Sequence, residues 1–294
     1  MNRWLVTGAR GMLGRDLVTV LERRGEAVTG LSRSDLDITD AGAVRDALAR
    51  WRPAVVVNCA AWTAVDDAEA SEGAALRVNG AAVAGLAACC AAQGAALIQV
   101  STDYVFDGQG REPYPEDGLP APRTAYGRTK LAGERAVLDQ AGLAGYVVRT
   151  AWLYGAHGPN FVATMIRKER GPGQVRVVDD QRGQPTWSMD VADRMHALIT
   201  AAAPPGIYHA TSSGETTWFG LAREVFRLLG ADPARVLPAT SRALARPAPR
   251  PAFSVLGHAA WERAGLTPIG GWQQALRCGL PGLAAMTAAA EPAP

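Results

Sequence analysis

Short apolar runs alternate with amphipathic stretches along the first 150 residues of the chain. The apolar runs are "RWLVTG", "EAVTGLS", "AVVVNCAA", "ALIQVST" and "GYVVRTAW". Between them lie stretches with apolar residues at helical spacing, among them "GMLGRDLVTVLERRG", "AGAVRDALARW" and a segment from about Ser71 to Gln93. Strands that are apolar throughout are typical of a parallel sheet covered on both faces. The pattern therefore predicts an α/β fold with a doubly wound parallel sheet.

The second half of the chain has a less regular pattern. "QVRVVDD" and "GIYHAT" are predicted to be further sheet strands, with a helix over "MDVADRMHALITAA" between them. "GAHGPNF" and "ARPAPRPAF" are rich in glycine and proline, which suits loops. We therefore predict a sheet domain of residues 1–155 plus about 175–211. A smaller, interleaved C-terminal lobe takes about 156–174 plus 212–285, and 286–294 form a frayed tail.

Composition and charge narrow the class of protein. Hydrophobic residues make up 48% of the 294 residues and charged residues 20%, as in an ordinary folded globular protein. The formal net charge is +2, and the basic residues, 28 of 30 of them arginine, are scattered along the chain. This balance argues against a nucleic-acid partner, which would favour a strong basic bias.

The cysteines and the longest apolar stretch indicate the compartment. None of Cys59, Cys89, Cys90 and Cys278 has the spacing of a zinc ligand pair, so we expect reduced thiols. The stretch "AAVAGLAACCAAQGAALIQV" is interrupted at Gln93-Gly94, which predicts a helix followed by a strand rather than a membrane span. The chain enters a predicted strand by residue 3 without an apolar leader. We therefore expect a cytoplasmic protein with no membrane partner.

Three glycines lie between the first predicted strand and the first predicted helix. Gly8, Gly11 and Gly14 stand in "VTGARGMLG", with spacing G-x-x-G-x-x-G. Glycine at such a turn allows a dinucleotide pyrophosphate to approach the backbone at the helix N-terminus, as in Rossmann folds. A purely structural turn is the alternative. The strand–turn–helix context favours a dinucleotide site.

The residues after the second predicted strand bear on the choice of cofactor. An NAD site usually has an acidic residue there, but the strand ends "GLSRSDLD". Arg33 and Arg10 are suited to bind a 2′-phosphate, although both are also ordinary candidates for solvated surface arginines. Asp37 and Ile38 are suited to the edge and the face of an adenine. NADPH is therefore the predicted cofactor, with NADH possible.

The stretch "TAYGRTKLAGERA" contains a candidate catalytic pair. Tyr126 and Lys130 are four residues apart in a predicted helix and thus share one face. Chance would give this spacing in roughly 4 such chains in 100, so coincidence is the alternative. A phenol pKa of ~10 is too high for proton transfer at neutral pH, and we expect the ammonium to lower it. Ser101 and Thr102, at the end of the preceding strand, offer hydroxyls for a carbonyl oxygen.

Together these residues resemble a known family. The chain is similar to the extended short-chain dehydrogenase/reductases, and within them to the dTDP-4-dehydrorhamnose reductases, especially the branch that makes dihydrostreptose. The resemblance covers nearly the whole chain and is carried by "GARGMLGRDL", "DLDITD", "VVNCAAWTAVDDAE", "STDYVFDG", "AYGRTKLAGE", "VRTAWLYG", "NFVATM", "DDQRGQPT", "TTW" and "RPAFSVL".

The resemblance implies roles for individual residues. Cofactor contacts are implied for Gly11, Met12 and Leu13 at the pyrophosphate, for Asp37 and Ile38 at the adenosine, and for Ala60, Ala61 and Thr63 at the next turn of the cofactor. Tyr126 is implied as the proton donor, and Lys130 as the ligand of the nicotinamide ribose. Substrate contacts are implied for Thr102, Asp103, Trp152 and Asn160. A buried core aromatic is the alternative for Trp152.

A metal-binding dimer interface is one point at which the chain departs from the family. Rhamnose-forming members can dimerise through Mg²⁺ held by glutamates, and the matching positions here carry Asp16 and Asp190. The shorter side chain withdraws the carboxylate by one methylene, so we predict no metal at this position and expect lone surface aspartates. A homodimer remains possible.

Three functions remain open on the sequence. The first is NADPH-dependent reduction of the 4-keto group of dTDP-4-dehydro-L-rhamnose to dTDP-L-rhamnose. The second is dTDP-dihydrostreptose synthesis from the same substrate, in antibiotic biosynthesis. The third is a non-catalytic regulatory subunit that binds NADP. Elimination chemistry, as in the sugar 4,6-dehydratases, lacks a second carboxylate in Thr102-Asp103-Tyr104.

Overall fold

A computed structural model describes residues 2–244 and 246–289 of the chain. Within these residues the strands are β1 (Arg3–Thr7), β2 (Ala27–Leu31), β3 (Val55–Asn58), β4 (Ala96–Thr102), β5 (Gly145–Thr150), β6 (Leu153–Tyr154), β7 (Val175–Val178), β8 (Arg182–Gly183), β9 (Thr186–Trp187), β10 (Gly206–His209), β11 (Thr216–Thr217) and β12 (Val236–Ala239). The helices are α1 (Met12–Arg23), α2 (Ala41–Trp51), α3 (Val65–Ala70), α4 (Glu72–Leu76), α5 (Ala82–Gln93), α6 (Ala125–Leu138), α7 (Phe161–Arg170), α8 (Ser188–Thr200), α9 (Trp218–Leu228), α10 (Ala259–Arg263) and α11 (Trp272–Ala289).

Six parallel strands form the central sheet, in the order β10-β5-β4-β3-β1-β2. The order reverses at β1, because β2 lies on one side of it and β3 on the other. Ligands of open α/β sheets bind at such a reversal, beyond the carboxyl ends of the strands. Thr7 pairs with Asn58, and Thr102 pairs with Thr150, so these strand ends share one edge. The predicted doubly wound fold is confirmed.

Helices cover both faces of this sheet. On β1, Trp4 and Val6 face the helices α1 and α8, whereas Leu5 faces α2 and α5 on the opposite side. Each of these side chains is at most 1% exposed. Because both faces are buried, every residue of a central strand is best apolar, which explains the continuous apolar runs in the sequence.

The helix predicted from about Ser71 to Gln93 is one continuous rod. It consists of α4, a π-helical turn over Arg77–Ala81, and α5. By length and composition alone this helix could cross a membrane. In the structure, Val83, Leu86 and Cys90 of α5 are fully buried in the core between the sheet and α2. Its apolar character is thereby accounted for by packing within the protein.

A second lobe has its own core beside the carboxyl edge of the sheet. This core combines residues of α7, α9 and α11, with Val175 and Val177 of β7 among them. β7 pairs in parallel with β12 and not with the central sheet, so the expectation that "QVRVVDD" joins the sheet is wrong. The physical reason is that an apolar strand can pair with any strand that buries its faces, and the partner is not written in its own sequence. "GIYHAT", by contrast, contains β10, which pairs with β5 as expected.

The last helix extends beyond its expected end. α11 continues to Ala289, so residues 286–289 are helical although the sequence predicts a frayed tail from 286. The remaining residues of that predicted tail, 290–294, lie outside the described residues. The proposed division into a sheet domain and a substrate lobe stays a prediction, apart from the displacement of β7.

Candidate active site

A cleft of about 1580 Å³ opens at the carboxyl edge of the sheet, between the sheet and the second lobe. It brings together most of the residues singled out in the sequence. Those that line it are Gly8, Arg10, Gly11, Met12, Leu13, Gly14, Arg33, Ile38, Ala60, Ala61, Thr63, Thr102, Asp103, Tyr126, Lys130 and Trp152. The site thus combines the glycine turn with the tyrosine–lysine pair in one cavity.

Two of the three glycines in the turn leave no room for a side chain. Gly8 has a φ of +66°, and a Cβ placed on it would lie 2.7 Å from the Ala60 nitrogen. A Cβ on Gly14 would lie 2.3 Å from the Gly8 carbonyl oxygen. Gly11 precedes α1 without a side-chain cap, so the first amides of the helix remain available to a ligand. Such an open helix N-terminus favours a pyrophosphate.

Of the two residues expected at the adenosine, Ile38 lines the cleft and Asp37 does not. Ile38 is buried and lines the cleft, together with Leu36. The exposed Asp37 does not line it. Its carboxylate accepts hydrogen bonds from the Thr39 nitrogen at 2.9 Å and the Thr39 hydroxyl at 2.8 Å. Asp37 therefore shapes the turn before α2, and its contact with an adenosine stays a prediction.

Arg10 and Arg33 both line the cleft and are exposed. Near Arg10 lies a carboxylate, Asp35, that the sequence reasoning overlooked. Asp35 accepts hydrogen bonds from the backbone nitrogen of Ser32 at 2.9 Å and from its hydroxyl at 2.5 Å. These two bonds, followed by the charge of Arg10, lower the pKa of Asp35. Asp35 is thus ionised and carries a negative charge near Arg10.

Buried Asn79 holds the loop that follows β3. Its carbonyl accepts from the Trp62 nitrogen at 2.9 Å, and its amide donates to the Trp62 carbonyl and to Thr129 at 3.1 Å each. Asn79 lies within the π-helical turn, and such turns recur at functional sites. Sequence reasoning missed Asn79 because no local pattern distinguishes a π-helical turn from an α-helix.

Tyr126 lies in the first turn of α6, which starts at the cap of Thr124. The Thr124 hydroxyl accepts from the Gly127 nitrogen at 3.0 Å, and a Cβ on Gly127 would lie 2.2 Å from the Tyr104 carbonyl oxygen. This close approach brings Tyr126 beside Thr102. Burial raises the pKa of Tyr126 to about 12, and the hydrogen bond with Thr102 opposes that rise. The expected net lowering of the Tyr126 pKa is therefore wrong, because burial dominates.

Lys130 is buried directly below Tyr126 in the helix. Its Nζ donates to the Val100 carbonyl at 2.7 Å, and its side chain lines the cleft. Burial lowers the pKa of Lys130 to about 8, while the charge of Glu134 opposes the fall. Tyr126 is therefore protonated throughout the neutral pH range. Lys130, by contrast, can gain or lose its proton near neutral pH after a small change in its surroundings.

The two hydroxyls at the end of β4 have different fates. Ser101 lines the cleft, but its hydroxyl donates to the buried Glu134 Oε1 at 2.5 Å, so a contact of Ser101 with a carbonyl oxygen stays a prediction. Thr102 donates to Asp103 Oδ1 at 2.9 Å and is associated with Tyr126. Burial raises the pKa of Asp103 to about 6. The alternation of side chains along a strand sends neighbours to opposite faces, which separates Ser101 from Thr102.

Trp152 forms the wall of the cleft on the side of the second lobe. Its ring stacks on Trp218 with centroids 3.6 Å apart and an interplanar angle of 7°. A Cβ on Gly183 would lie 2.5 Å from the Trp152 ring, so the glycine makes room for it. Trp152 is half-buried, packs against the core of the second lobe and also lines the cleft, so its contact with a substrate stays a prediction. Trp218 also lines the cleft, and the motif "TTW" contains it, yet no role was assigned to it.

Asn160 has a structural role at the start of α7. Its carbonyl accepts from the Ala163 nitrogen at 2.9 Å, and its amide donates to the Gly155 carbonyl at 2.9 Å. Its neighbours Pro159 and Phe161 line the cleft, whereas Asn160 does not. A diphosphate contact for Asn160 stays a prediction.

Asp16 and Asp190 occupy the positions of the family's metal-binding glutamates, and the surroundings of Asp16 differ from the expectation. Asp16 is buried, not on the surface as expected, and its carboxylate accepts a hydrogen bond from the Ser188 hydroxyl. Burial raises the pKa of Asp190 to about 6. Among residues 2–244 and 246–289, no group of three or more His, Cys, Asp or Glu side chains could hold a metal ion.

The chain is similar to known proteins over almost its whole length. The family model described as the RmlD substrate binding domain matches residues 2–282. A protein of Streptomyces griseus named dTDP-4-dehydrorhamnose reductase is 60% identical, over 99% of this chain and 97% of its own length. A dTDP-4-keto-6-deoxy-D-glucose reductase of Streptomyces niveus is 54% identical, over 95% of this chain and 97% of its own.

A solved structure extends the likeness to three dimensions. The Bacillus anthracis dTDP-4-dehydrorhamnose reductase in complex with NADP has 34% identity and a TM-score of 0.91. The match covers 95% of this chain and 99% of the other. The fold, the cleft and the matched residues lead to one assignment: the chain belongs to the dTDP-4-dehydrorhamnose reductase family of extended short-chain dehydrogenase/reductases.

Proposed function

We propose that the protein reduces the 4-keto group of dTDP-4-dehydro-L-rhamnose with NADPH, giving dTDP-L-rhamnose. The observation that carries this proposal is the convergence of Thr102, Tyr126 and Lys130 on the cleft that also contains the glycine turn. A protein that only bound a dinucleotide would not need a buried phenol beside a strand-end hydroxyl. The names of the similar Streptomyces proteins, both reductases of dTDP sugars, support the same reaction.

The residues present fit the dinucleotide. Gly8 and Gly14 let the turn pack directly against neighbouring backbone atoms, and the first amides of α1 have no side-chain cap beside the cleft. These amides bind the pyrophosphate, Arg10 and Arg33 bind the 2′-phosphate, and Lys130 binds the nicotinamide ribose. Bound NADPH supplies the hydride. The likeness to a structure in complex with NADP supports this choice of cofactor.

Tyr126 is the proton donor. Because burial raises the pKa of Tyr126 to about 12, the phenol is protonated at neutral pH and is ready to give its proton to the oxygen at C4. The Thr102 hydroxyl donates to Asp103 Oδ1 at 2.9 Å; with the sugar bound it would turn from Asp103 to the keto oxygen and hold that oxygen against the phenol. Negative charge that develops on the oxygen is thus met by two hydroxyl donors.

Trp152 and Trp218 together bind the apolar surface of the substrate. The two stacked rings line the cleft on the side of the second lobe, and Tyr126 lines the same cleft on the side of the sheet. Aromatic faces suit both a sugar ring and a nucleotide base. We place the sugar on this wall, with its 4-keto carbon turned towards α6.

Dihydrostreptose is the second candidate product, from the same substrate. Ring contraction needs a base next to the sugar hydroxyls before the hydride arrives. Asp103 is buried beside Thr102, and its pKa of about 6 leaves it ionised at pH 7, so it can accept a proton. The same carboxylate is compatible with simple reduction, so Asp103 alone does not select the product.

One incubation distinguishes these functions. Purified protein is mixed with dTDP-4-keto-L-rhamnose and NADPH, the loss of absorbance at 340 nm is recorded, and the product is identified by NMR. A six-membered rhamnose ring supports the proposed reaction. A five-membered ring with a branched carbon supports the second candidate. Binding of NADPH without consumption of the sugar contradicts both and favours the regulatory subunit.

We further propose that the protein acts in the cytoplasm. Cys59, Cys89, Cys90 and Cys278 are all free thiols in the structure, as suits a reducing compartment. The homodimer stays a prediction, which size-exclusion chromatography with light scattering would test.

A further inference from the structure

A fully buried ion pair lies beneath the cleft. Glu134 of α6 and Arg149 of β5 are each 1% exposed. Arg149 Nε donates to Glu134 Oε1 at 2.9 Å, and Arg149 Nη2 donates to Oε2 at 2.7 Å. The attraction in such a pair seldom exceeds the cost of removing both charges from water, and an apolar pair of similar volume often packs equally well. Packing alone is therefore a weak reason for this pair.

The pair adjoins the candidate catalytic lysine. Glu134 lies one helical turn beyond Lys130 on the same face of α6. Two successive residues at the end of β4 hold the two groups: the Val100 carbonyl accepts from Lys130 Nζ at 2.7 Å, and Ser101 donates to Glu134 Oε1 at 2.5 Å. Both oxygens of Glu134 are thereby engaged by Ser101 and Arg149. The carboxylate acts on Lys130 through its field, at a fixed position.

The titratable groups beside the Lys130 amine are Glu134 on α6 and Cys59 after β3. Tyr126 lies one turn before Lys130 on α6, and Arg149 on β5 holds Glu134. Burial raises the pKa of Cys59 to about 12, so this thiol is neutral near pH 8. Glu134 is the first of the groups that favour the ammonium of Lys130. In a buried site, a charge one turn away is screened little by solvent.

We propose that Glu134 is a positioning residue, whose carboxylate, clamped by Arg149 and Ser101, keeps the Lys130 amine charged and directed at the Val100 carbonyl. One ammonium proton is then committed to Val100, and two remain for the ribose hydroxyls of the cofactor. The ribose contact rests on the proposed function. The charge state of Lys130 does not, and it can be measured without any substrate.

The test is a direct titration of Lys130. The chain has two lysines, Lys130 and Lys168, so ¹³C-lysine NMR gives two signals, and a Lys168→Arg variant assigns them. The deciding protein is the double variant Glu134→Gln/Arg149→Met, which removes both charges and leaves no unpaired buried ion. NADPH dissociation constants are measured over the same pH range by fluorescence.

The matched control removes a second ion pair of the same helix. Arg128 of α6 pairs with Glu72 at 2.7 Å, and both side chains are more than 40% exposed. The variant Glu72→Gln/Arg128→Met is expected to leave the titration of Lys130 unchanged, because this pair is exposed to solvent.

We expect the midpoint for Lys130 to fall by about 1 pH unit in the Glu134→Gln/Arg149→Met variant. We also expect NADPH affinity to begin to decline at a correspondingly lower pH. The single variant Glu134→Gln should shift further, because Arg149 then repels the ammonium without compensation. A folded double variant with an unchanged midpoint would overturn the proposal. So would a double variant that does not fold, since the pair would then serve packing. Failure to reduce the keto sugar would contradict the proposed function and leave this titration intact.

Discussion

The two walls of the cleft are built differently. On the sheet side, Tyr126 and Lys130 lie on one helix, and regular backbone geometry aims both at the cleft. On the lobe side, Trp152 lies in the left-handed region with a φ of +47°, and its position depends on Trp218 and on the space over Gly183. The positions of the side chains on the sheet wall are set by the spacing of residues within one helix or strand. The lobe wall is fixed by contacts between segments that are distant in the sequence.

This difference assigns different tasks to the two walls. Hydride and proton transfer require atoms held within a fraction of an ångström, which helices and strands provide. Selection among keto sugars requires a surface that can change without disturbing that geometry, which loops provide. We infer that changes on the sheet wall alter the rate of reaction, whereas changes on the lobe wall alter the binding of the sugar.

The largest expected effect lies on the sheet wall. Tyr126→Phe removes the transferable proton and should lower kcat by ~10²–10⁴-fold while NADPH binding stays as in the wild type. Stopped-flow or steady-state assays and a fluorescence titration measure the two quantities. Tyr146→Phe is the control, because that hydroxyl donates to the Ala203 carbonyl in the core. More than a tenth of the wild-type activity in Tyr126→Phe would contradict the assignment.

The burial of Lys130 in the sheet wall should also lower the free energy of unfolding. The pKa of Lys130 is near 10.5 in the unfolded chain and about 8 in the folded one, so the unfolded state binds more protons between these values. The contribution of Lys130 to stability therefore rises with pH from about 8 to 10.5. Below pH 8, its burial costs about 3 kcal/mol.

Denaturant unfolding of wild type and Lys130→Met at several pH values measures this cost. The variant should be the more stable protein below pH 8, and the advantage should shrink as the pH approaches 10.5. A difference in unfolding free energy that does not change with pH would show that Lys130 is not strained by burial.

A smaller effect is expected on the lobe wall. In Gly183→Ala the added Cβ displaces the Trp152 ring, which should raise KM for the keto sugar about tenfold, as the loss of one stacking contact would. The dissociation constant of NADPH should not change. Gly173→Ala is the matched control, since a Cβ there meets nothing within 4 Å. If Gly183→Ala instead lowers kcat at unchanged KM, the separation of tasks between the walls is wrong.

The smallest effect concerns the choice of cofactor. We expect NADPH to be preferred over NADH by a modest factor, because exposed guanidinium–phosphate contacts contribute only ~1 kcal/mol each. Arg10→Ala/Arg33→Ala should abolish the preference without changing kcat for NADH. Asp35→Asn should increase it, because this carboxylate lies near Arg10 and opposes a 2′-phosphate. Equal use of both cofactors by the wild type would contradict the prediction.

The features of the site that the sequence predicts are those set by spacing within one strand or one helix. Tyr126, Lys130 and the glycine turn were predictable, because their chemistry depends on spacing along one strand or one helix. The likeness of "GIYHAT" to a central strand was equally readable from its apolar run. These features lie in local periodicity, which a sequence displays directly.

Features that depend on partners across the fold were not predictable. The hydroxyl of Ser101 turns to Glu134, the side chain of Asn160 caps α7, and β7 pairs with β12. In each case the sequence offers a group with several suitable partners, and the packing selects one of them. The burial of Asp16 against Ser188 was missed for the same reason.

The position of β10 in the central sheet has a consequence for synthesis on the ribosome. β10 and α8 complete the sheet and cover α1, yet they are made about 50 residues after β5. At a translation rate of ~5–20 residues per second, the edge of β5 waits roughly 3–10 seconds for β10, and the apolar face of α1 waits longer still for α8. During this interval the nascent chain presents an unpaired strand edge, which is a site for wrong pairing or for a chaperone. A cut in the chain after residue 155 would make that interval permanent.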